Sequence, residues 1–274
     1  MDSKVKCPCC NEPLNGTAIE YPGRQESLIL SCSCCGSGRA SPSVELDYSG
    51  QEYWSRPSSM IYPVPYGLAK IRASLIHQYV PRPSHTLDIG AGHGYLGWFL
   101  DTDHYHIVEP SRVMSDYIKH SYTKPNLCIR DSLSLIDTTD DRHKYDLIVL
   151  SSILEHLTEP ASMLIDALQL THSGSFVFIE VPNLDYQFKE DVFPHTTFFS
   201  KTGLCELMRR CKLELVYCDT FGNRNPSTLL RKLVGSSNRV LPSSLVAELF
   251  MYVYGFRKVV DTNSWCIRAV GRVS

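Results

Sequence analysis

Residues 85–110 read HTLDIGAGHGYLGWFLDTDHYHIVEP, and the order of residue types in this stretch decides the fold. Thr86, Leu87, Asp88 and Ile89 form a short extended run that stops at Gly90. Gly90, Gly92 and Gly94 alternate with Ala91 and His93, so the backbone lacks a Cβ at three points and can turn tightly against a ligand. Leu96, Phe99 and Leu100 follow at i, i+3 and i+4, the spacing of a helix that buries one face. His106-Ile107-Val108 is a second extended run, closed by Glu109. Strand, glycine turn, helix, strand and acid are the plan of a nucleotide-binding α/β unit. Glu109 then stands at a strand end, where a carboxylate can accept hydrogen bonds from both hydroxyls of a ribose.

A dinucleotide fold wants G-x-G-x-x-G, and Tyr95 occupies the place of its third glycine. The pattern from Asp88 to Gly94 is instead D-x-G-x-G-x-G. It resembles motif I of the class I S-adenosylmethionine-dependent methyltransferases. That resemblance implies an α/β chain built on a Rossmann-like, seven-stranded sheet, with S-adenosylmethionine as cofactor. It puts Asp88, Gly90, Ala91, Gly92 and Gly94 at the methionyl half and Glu109, with Pro110 beside it, at the ribose. A dehydrogenase, or a glycine turn with no ligand, are the competing readings.

The whole chain sets the outer limits. Its 274 residues suffice for one α/β domain and a small appendage. Hydrophobic residues make up 43% and charged residues 20%, so a sizeable core is expected. A formal charge of −2, from 27 basic and 29 acidic residues, argues against an obligate nucleic-acid binder. No apolar run approaches the ~20 residues of a membrane span, and MDSKVKCPCC has no signal-peptide apolar region. Eleven cysteines without an export signal suggest a reducing, cytoplasmic setting, in which paired cysteines are better read as metal ligands than as disulfides.

Those cysteines begin at once. Residues 7–10 are Cys-Pro-Cys-Cys before Asn11, and residues 32–35 are Cys-Ser-Cys-Cys before Gly36. The outer members give two C-x2-C pairs separated by 21 residues, the arrangement of a zinc ribbon. A knuckle favours a left-handed residue after its second cysteine, and Asn11 and Gly36 tolerate that conformation. Cys7, Cys10, Cys32 and Cys35 are therefore the expected ligands, with Cys9 and Cys34 spare; four thiolates make such a zinc structural. Thr17–Tyr21 and Ser27–Ser31 flank a Pro22-Gly23-Arg24-Gln25 turn and read as a hairpin. The expected units are a ribbon over residues 1–40, an aromatic and proline-rich linker over 41–65, and a cofactor-binding domain over 66–274. Tyr48, Tyr53, Trp54, Tyr62 and Tyr66 either line a substrate pocket or dock the ribbon.

Further along, Ile71, Leu75, Ile76 and Tyr79 share a helical face ended by Pro81 and Pro83. Met114 to His120 can form another helix. Leu127-Cys128-Ile129 is a third strand leading to Arg130-Asp131-Ser132. An acid there resembles the methyltransferase residue that accepts from the adenine amino group, with Ser132 as its neighbour; a plain loop acid is the other reading of Asp131. Tyr145–Leu150 is apolar throughout, as a doubly covered parallel strand should be, and runs into Ser151, counted with the cofactor residues, and Ser152-Ile153-Leu154-Glu155-His156-Leu157. Pro160 opens a helix carrying Met163, Leu164, Ala167 and Leu168. Phe176 to Val181 is a fifth strand ending in Pro182-Asn183, Leu213 to Tyr217 a sixth, and Trp265 to Val270 a seventh, antiparallel one. An insertion over about 222–262 is expected to hold helices near 229–234 and 245–254. The second has an apolar stripe fit for core, substrate lid or dimer face.

The stretch from Tyr145 to Asn183, and the later V-F-P-H-T-T-F-F-S segment, resemble the class I group that methylates quinones, sugars and other small metabolites. The cysteine segment resembles the zinc-binding front of sugar C-methyltransferases, whose extra C-terminal domain has no counterpart here. Methyl transfer from a sulfonium is a direct displacement, so the protein supplies position and, for a hydroxyl or amide acceptor, a base. Histidine suits that role near neutral pH. His156 and His195 both fall at the carboxyl edge of the expected sheet. His195 is preferred, because a helix N-terminus at His156 would lower its pKa; a loop-holding role is the alternative for both. The resulting expectation is methyl transfer to an oxygen or nitrogen, and less readily a carbon, of a small molecule such as a sugar or secondary metabolite, with a homodimer as one expected assembly. RNA methylation and a non-catalytic binding module are the alternatives.

Overall fold

The computed structural model describes residues 5–43, 63–122, 126–132, 136, 144–224, 258 and 263–274. Its centre is a seven-stranded sheet built from β4 (His85–Ile89), β5 (His104–Val108), β6 (Leu127–Arg130), β7 (Tyr145–Ser151), β8 (Thr171–Pro182), β10 (Leu213–Asn223) and β11 (Ser264–Val273). The strands lie in the order β10-β11-β8-β7-β4-β5-β6. From β6 to β8 every pair is parallel, while β11 runs antiparallel to both β8 and β10. The chain leaves β4 for β5 on one side and fills β7 on the other. That reversal opens a crevice at the carboxyl ends of β4 and β7, where ligands bind in open α/β sheets.

Alternation along the strands explains the three layers. Leu87, Ile89, Ile148, Leu150, Val177 and Ile179 face one side, with Leu164 and Ala167 of α4 (Pro160–Leu168) and Leu204, Leu207 and Met208 of α5 (Lys201–Arg210). Leu147, Val149, Phe178 and Ile107 face the other, against α1 (Pro63–Tyr79), α2 (Leu96–Phe99) and α3 (Arg112–Ser121). Strands covered on both faces read as continuous apolar runs, which is why β7 and β8 could be recognised. The glycine-turn helix is shorter than its pattern suggests: α2 spans four residues and Leu100 is already extended. Gly97 sits in it because a Cβ there would meet Tyr105 at 2.5 Å. His104 begins β5 and stacks on His85 at 4.4 Å.

The N-terminal unit is a second sheet, and its edge is the largest departure from expectation. β1 (Ala18–Tyr21) and β2 (Arg24–Ser31) form the expected hairpin. β3 (Gly38–Ser41) then adds to β2, overrunning the expected linker boundary. The fourth strand comes from the other end of the chain: β9 (Thr197–Phe198) pairs Gly38 with Phe198 and Arg39 with Thr197. Ser200, which caps α5 by accepting from Gly203 N, also donates to the Cys35 carbonyl. Arg210, at the far end of α5, donates to the Cys9 carbonyl at 2.6 Å. The knuckle is thus fastened to both ends of one helix. β10 runs to Asn223, two residues into the expected insertion; the two helices expected there, and Tyr48, Tyr53, Trp54 and Tyr62 of the expected linker, lie outside the described residues.

A buried ion cluster ties the sheet together across β8 and β11. Arg268 is 1% exposed and donates to Glu180, which Arg72 of α1 also reaches. Burial would raise the Glu180 carboxyl, but the two guanidiniums hold it down at about 2, from the usual 4.5. Its contribution to stability is therefore full above pH 4.5 and lost as pH falls toward about 2. Arg268→Ala should cost about 3–5 kcal/mol at pH 7, because it removes one partner of a buried pair. Urea unfolding followed by circular dichroism will measure it, and the difference from the parent protein should shrink near pH 2. Equal midpoints at pH 7 would show that the pair contributes nothing.

Candidate functional site

The carboxyl ends of β4, β5 and β6 are stepped into register by two backbone bonds. Gly90 N donates to Val108 O at 2.7 Å, and Glu109 N to Arg130 O at 2.9 Å. Gly90, Gly92 and Gly94 have φ values of 70°, 55° and 69°, a conformation that explains glycine at each. A Cβ on Gly90 would also lie 1.9 Å from Ile153 Cδ1, so the loop comes directly against the turn that follows β7. Glu109 bridges strand and loop: Oε2 accepts from Gly92 N at 2.8 Å and Oε1 from Ser111 N at 2.9 Å. Burial pushes its carboxyl up to about 7 against those two bonds. Each carboxylate oxygen has a second lone pair, so both can still accept a ribose hydroxyl.

The other expected cofactor residues take different places. Asp88 is 2% exposed, beneath the loop, and its carboxylate takes the Tyr105 hydroxyl. Burial raises it to about 6, with the Tyr105 bond working the other way. It braces β4 on β5. Ala91 and Pro110 are half-buried beside Gly92 and Glu109, while Asp131 is exposed at the end of β6 with Ser132 half-buried next to it. Ser151 closes β7; its Oγ is buried and has no hydrogen-bond partner among the described residues. A sheet edge with open glycine backbone, a buried strand-end carboxylate and a buried hydroxyl lacking a partner fits a polar nucleoside ligand.

Next to that edge the structure gathers a second set of polar groups. Leu154–His156 is a single 3-10 turn, and Asp185–Gln187 another. His156 ends its turn and is not at a helix N-terminus, which corrects the reason for its low pKa. Burial lowers it to about 3, helped by the neighbouring His195. The His156 and His195 rings meet edge to face at 4.9 Å. His195 Nδ1 lies 2.9 Å from Asp185 Oδ2. Asp185 is 1% exposed; burial would raise it, but His195 and Lys189 hold it at about 2. Glu155 is 2% exposed, burial pushes it up to about 7, and its Oε2 has no hydrogen-bond partner. Glu155 and Asp185 were not singled out in the sequence: one stands beside the histidine that drew the attention, and the other is positioned by the left-handed backbone of Leu184, φ 45°.

Both histidines depend on the N-terminal sheet for position. The Tyr21 hydroxyl donates to the carbonyls of His195 at 2.8 Å and Val192 at 3.2 Å. Thr196 N donates to Glu155 O at 2.7 Å, and Thr196 O accepts from Ala40 N at 2.8 Å. At the other end of that unit, Cys7 and Cys35 lie 3.6 Å apart and Cys10 and Cys32 3.5 Å apart, sulfur to sulfur. All four sulfurs fall within 4.8 Å of one another. Asn11 and Gly36 have φ of 66° and 76°, as the knuckle pattern requires. Cys9 is buried outside the set and Cys34 is exposed.

Comparison with known proteins agrees with this geometry. Residues 64–217 match the family model described as a methyltransferase domain, which is more than half of the chain. No curated protein matches the sequence significantly. Among solved structures, a chain of the Haloferax volcanii complex between the Trm112 methyltransferase activator and its candidate methyltransferase is similar, with 14% identity and a TM-score of 0.58. The match covers 82% of this chain and 96% of that one. A S-adenosylmethionine-dependent methyltransferase from Thermotoga maritima is also similar, at 14% identity and TM-score 0.54, covering 82% and 98%. One from Archaeoglobus fulgidus has 14% identity and TM-score 0.51, covering 76% and 94%. At these identities the likeness shows the fold. No helix among the described residues is long and apolar enough to cross a membrane. The chain belongs to the methyltransferase-domain family and is a class I, S-adenosylmethionine-dependent methyltransferase.

Proposed function

We propose that this enzyme methylates an oxygen or nitrogen of a small molecule, with the acceptor held against the cluster of Glu155, His156, Asp185 and His195. The observation that carries this reading is the contact between the two sites. Gly90 of the glycine turn abuts Ile153, two residues before Glu155. Bound S-adenosylmethionine supplies a methyl group already activated by its positive sulfur. Gly90, Ala91, Gly92 and Gly94 line its methionyl end, Glu109 and Pro110 its ribose, Asp131 and Ser132 its adenine, and Ser151 the crossing between them. Asp88 acts from beneath by fixing the turn. His195, oriented by Asp185, promotes loss of the acceptor's proton, while His156 packs beside it and keeps the site dry.

The ribbon cysteines Cys7, Cys10, Cys32 and Cys35 would hold one zinc ion. A closed set of four sulfurs within reach of one another has the chemistry of a structural site. Its service to catalysis is indirect, through Tyr21 and Ala40, which hold the segment bearing His195.

Tritium-labelled methyl transfer into fractionated cell extract, followed by mass identification of the product, tests the substrate class. Label should enter the small-molecule fraction; label confined to RNA would overturn it. Glu109→Ala should weaken S-adenosylhomocysteine binding at least about tenfold, since one charge-assisted hydrogen bond is worth roughly 1.5–3 kcal/mol. Calorimetry with NAD as control ligand will read that. The unaltered protein should carry about one zinc, and Cys35→Ser should lose both the metal and methyl transfer. His195→Ala should lower kcat by about 10²–10⁴-fold with cofactor affinity unchanged within about twofold. An alanine variant with full kcat would make His195 merely structural.

A further inference from the structure

The cluster that faces the acceptor has a composition that proton transfer by one histidine does not explain. Glu155, His156 and His195 each offer one ligand atom, and all three atoms lie within 4.8 Å of one another. Two imidazoles and a carboxylate suit a divalent transition cation, and three protein ligands are the number found where a metal keeps positions open for substrate. Two further observations point the same way. Glu155 is 2% exposed, yet among the described residues no hydrogen-bond donor reaches its Oε2. His195 is also braced from behind, its Nδ1 facing Asp185 Oδ2 at 2.9 Å. Metal-bound histidines are held in this way, by a carboxylate or backbone carbonyl on the nitrogen that does not ligate.

We propose that Glu155, His156 and His195 form a second metal site, distinct from the cysteine knuckle, that binds a divalent first-row transition cation such as Mn2+ and presents it to a hydroxyl acceptor. This deepens the methyl-transfer reading and rests on it for the acceptor's place. The cation binds the acceptor oxygen and acidifies it, and the O–H proton passes to solvent water. The oxygen's electron pair then forms the O–CH3 bond as the S–CH3 bond breaks, and that bond's pair stays on the cofactor sulfur. His195 is in this account a ligand rather than the final proton acceptor. Asp185 is its positioning residue.

The test uses the full chain with its knuckle zinc in place, titrated with Mn2+ while free Mn2+ is followed by electron paramagnetic resonance. Thiolates are poor ligands for Mn2+, so the knuckle should not compete. About one equivalent should bind the unaltered protein. Glu155→Gln and His195→Gln should abolish that binding, and Asp185→Asn should weaken it about 10–100-fold. Calorimetry with S-adenosylhomocysteine identifies the variants that remain folded. Failure of the unaltered protein to take up Mn2+ would overturn the proposal, whatever the variants do. Uptake unchanged in a Glu155→Gln protein that binds S-adenosylhomocysteine would overturn it equally. Labelled transfer running at the same rate with and without Mn2+ would remove the cation's role. Absence of S-adenosylhomocysteine binding in the unaltered protein would instead count against the cofactor assignment, which the manganese titration does not touch.

Discussion

Thr196 carries the constraint on which the two halves of this enzyme depend. Its N–H is bonded to the Glu155 carbonyl and its carbonyl to the Ala40 N–H. One residue thus connects the turn after β7 to the edge of the N-terminal sheet. A buried backbone group left without a partner costs about 1–3 kcal/mol, so neither side can shift without exposing or orphaning the other. β9 extends the same connection by pairing with β3, and Thr197 adds a bond from its hydroxyl to the Leu157 carbonyl at 2.7 Å. His195 sits at the head of this segment. Its position is therefore decided by the ribbon as much as by the cofactor-binding sheet.

This arrangement accounts for a cysteine knuckle in an enzyme whose chemistry needs no sulfur ligand. A sheet whose strands run from two to eight residues has little apolar surface of its own, and small units of that size usually need a staple. Here the staple joins a core shared with the main fold: Cys7, Cys9, Cys10, Cys32 and Cys35 belong to the same buried cluster as Phe199, Leu204 and Met208. Arg210 and Ser200 then lock the knuckle to α5. Stability of the knuckle and placement of the site are one mechanical problem.

The central sheet was legible because its signals are local. β7 and the Phe176–Ile179 part of β8 are runs of mostly apolar residues, and Asp88 to Gly94 announces its turn by glycines that φ near 55–70° requires. The knuckle was legible for the same reason, through Asn11 and Gly36. What could not be read was decided by distant pairs. Thr197-Phe198 is too short to declare itself a strand, and becomes one only because Gly38 and Arg39 arrive beside it. Gly38 must be small, since a Cβ would meet Ile29 at 2.9 Å, but nothing nearby in sequence says so. His156 and His195 were recognisable as edge histidines. The carboxylates that give them meaning were not, because Asp185 reaches His195 only through a left-handed Leu184.

Three acids at the carboxyl edge of β7 and β8 are nearly or fully buried, and the fold treats them differently. Glu180 is met by Arg72 and Arg268, and Asp185 by Lys189 and His195. Each has a cationic or hydrogen-bonding partner, as a buried carboxylate needs. Glu155 has an imidazole at 3.9 Å and no donor to its second oxygen. Two guanidiniums meet Glu180, and among the described residues none meets Glu155. An acid that is buried, flanked by two imidazoles and met at Oε2 by no donor among the described residues is arranged for a further positive charge. A metal ion meets that requirement, and it would do so at the point where an acceptor's oxygen must be made nucleophilic.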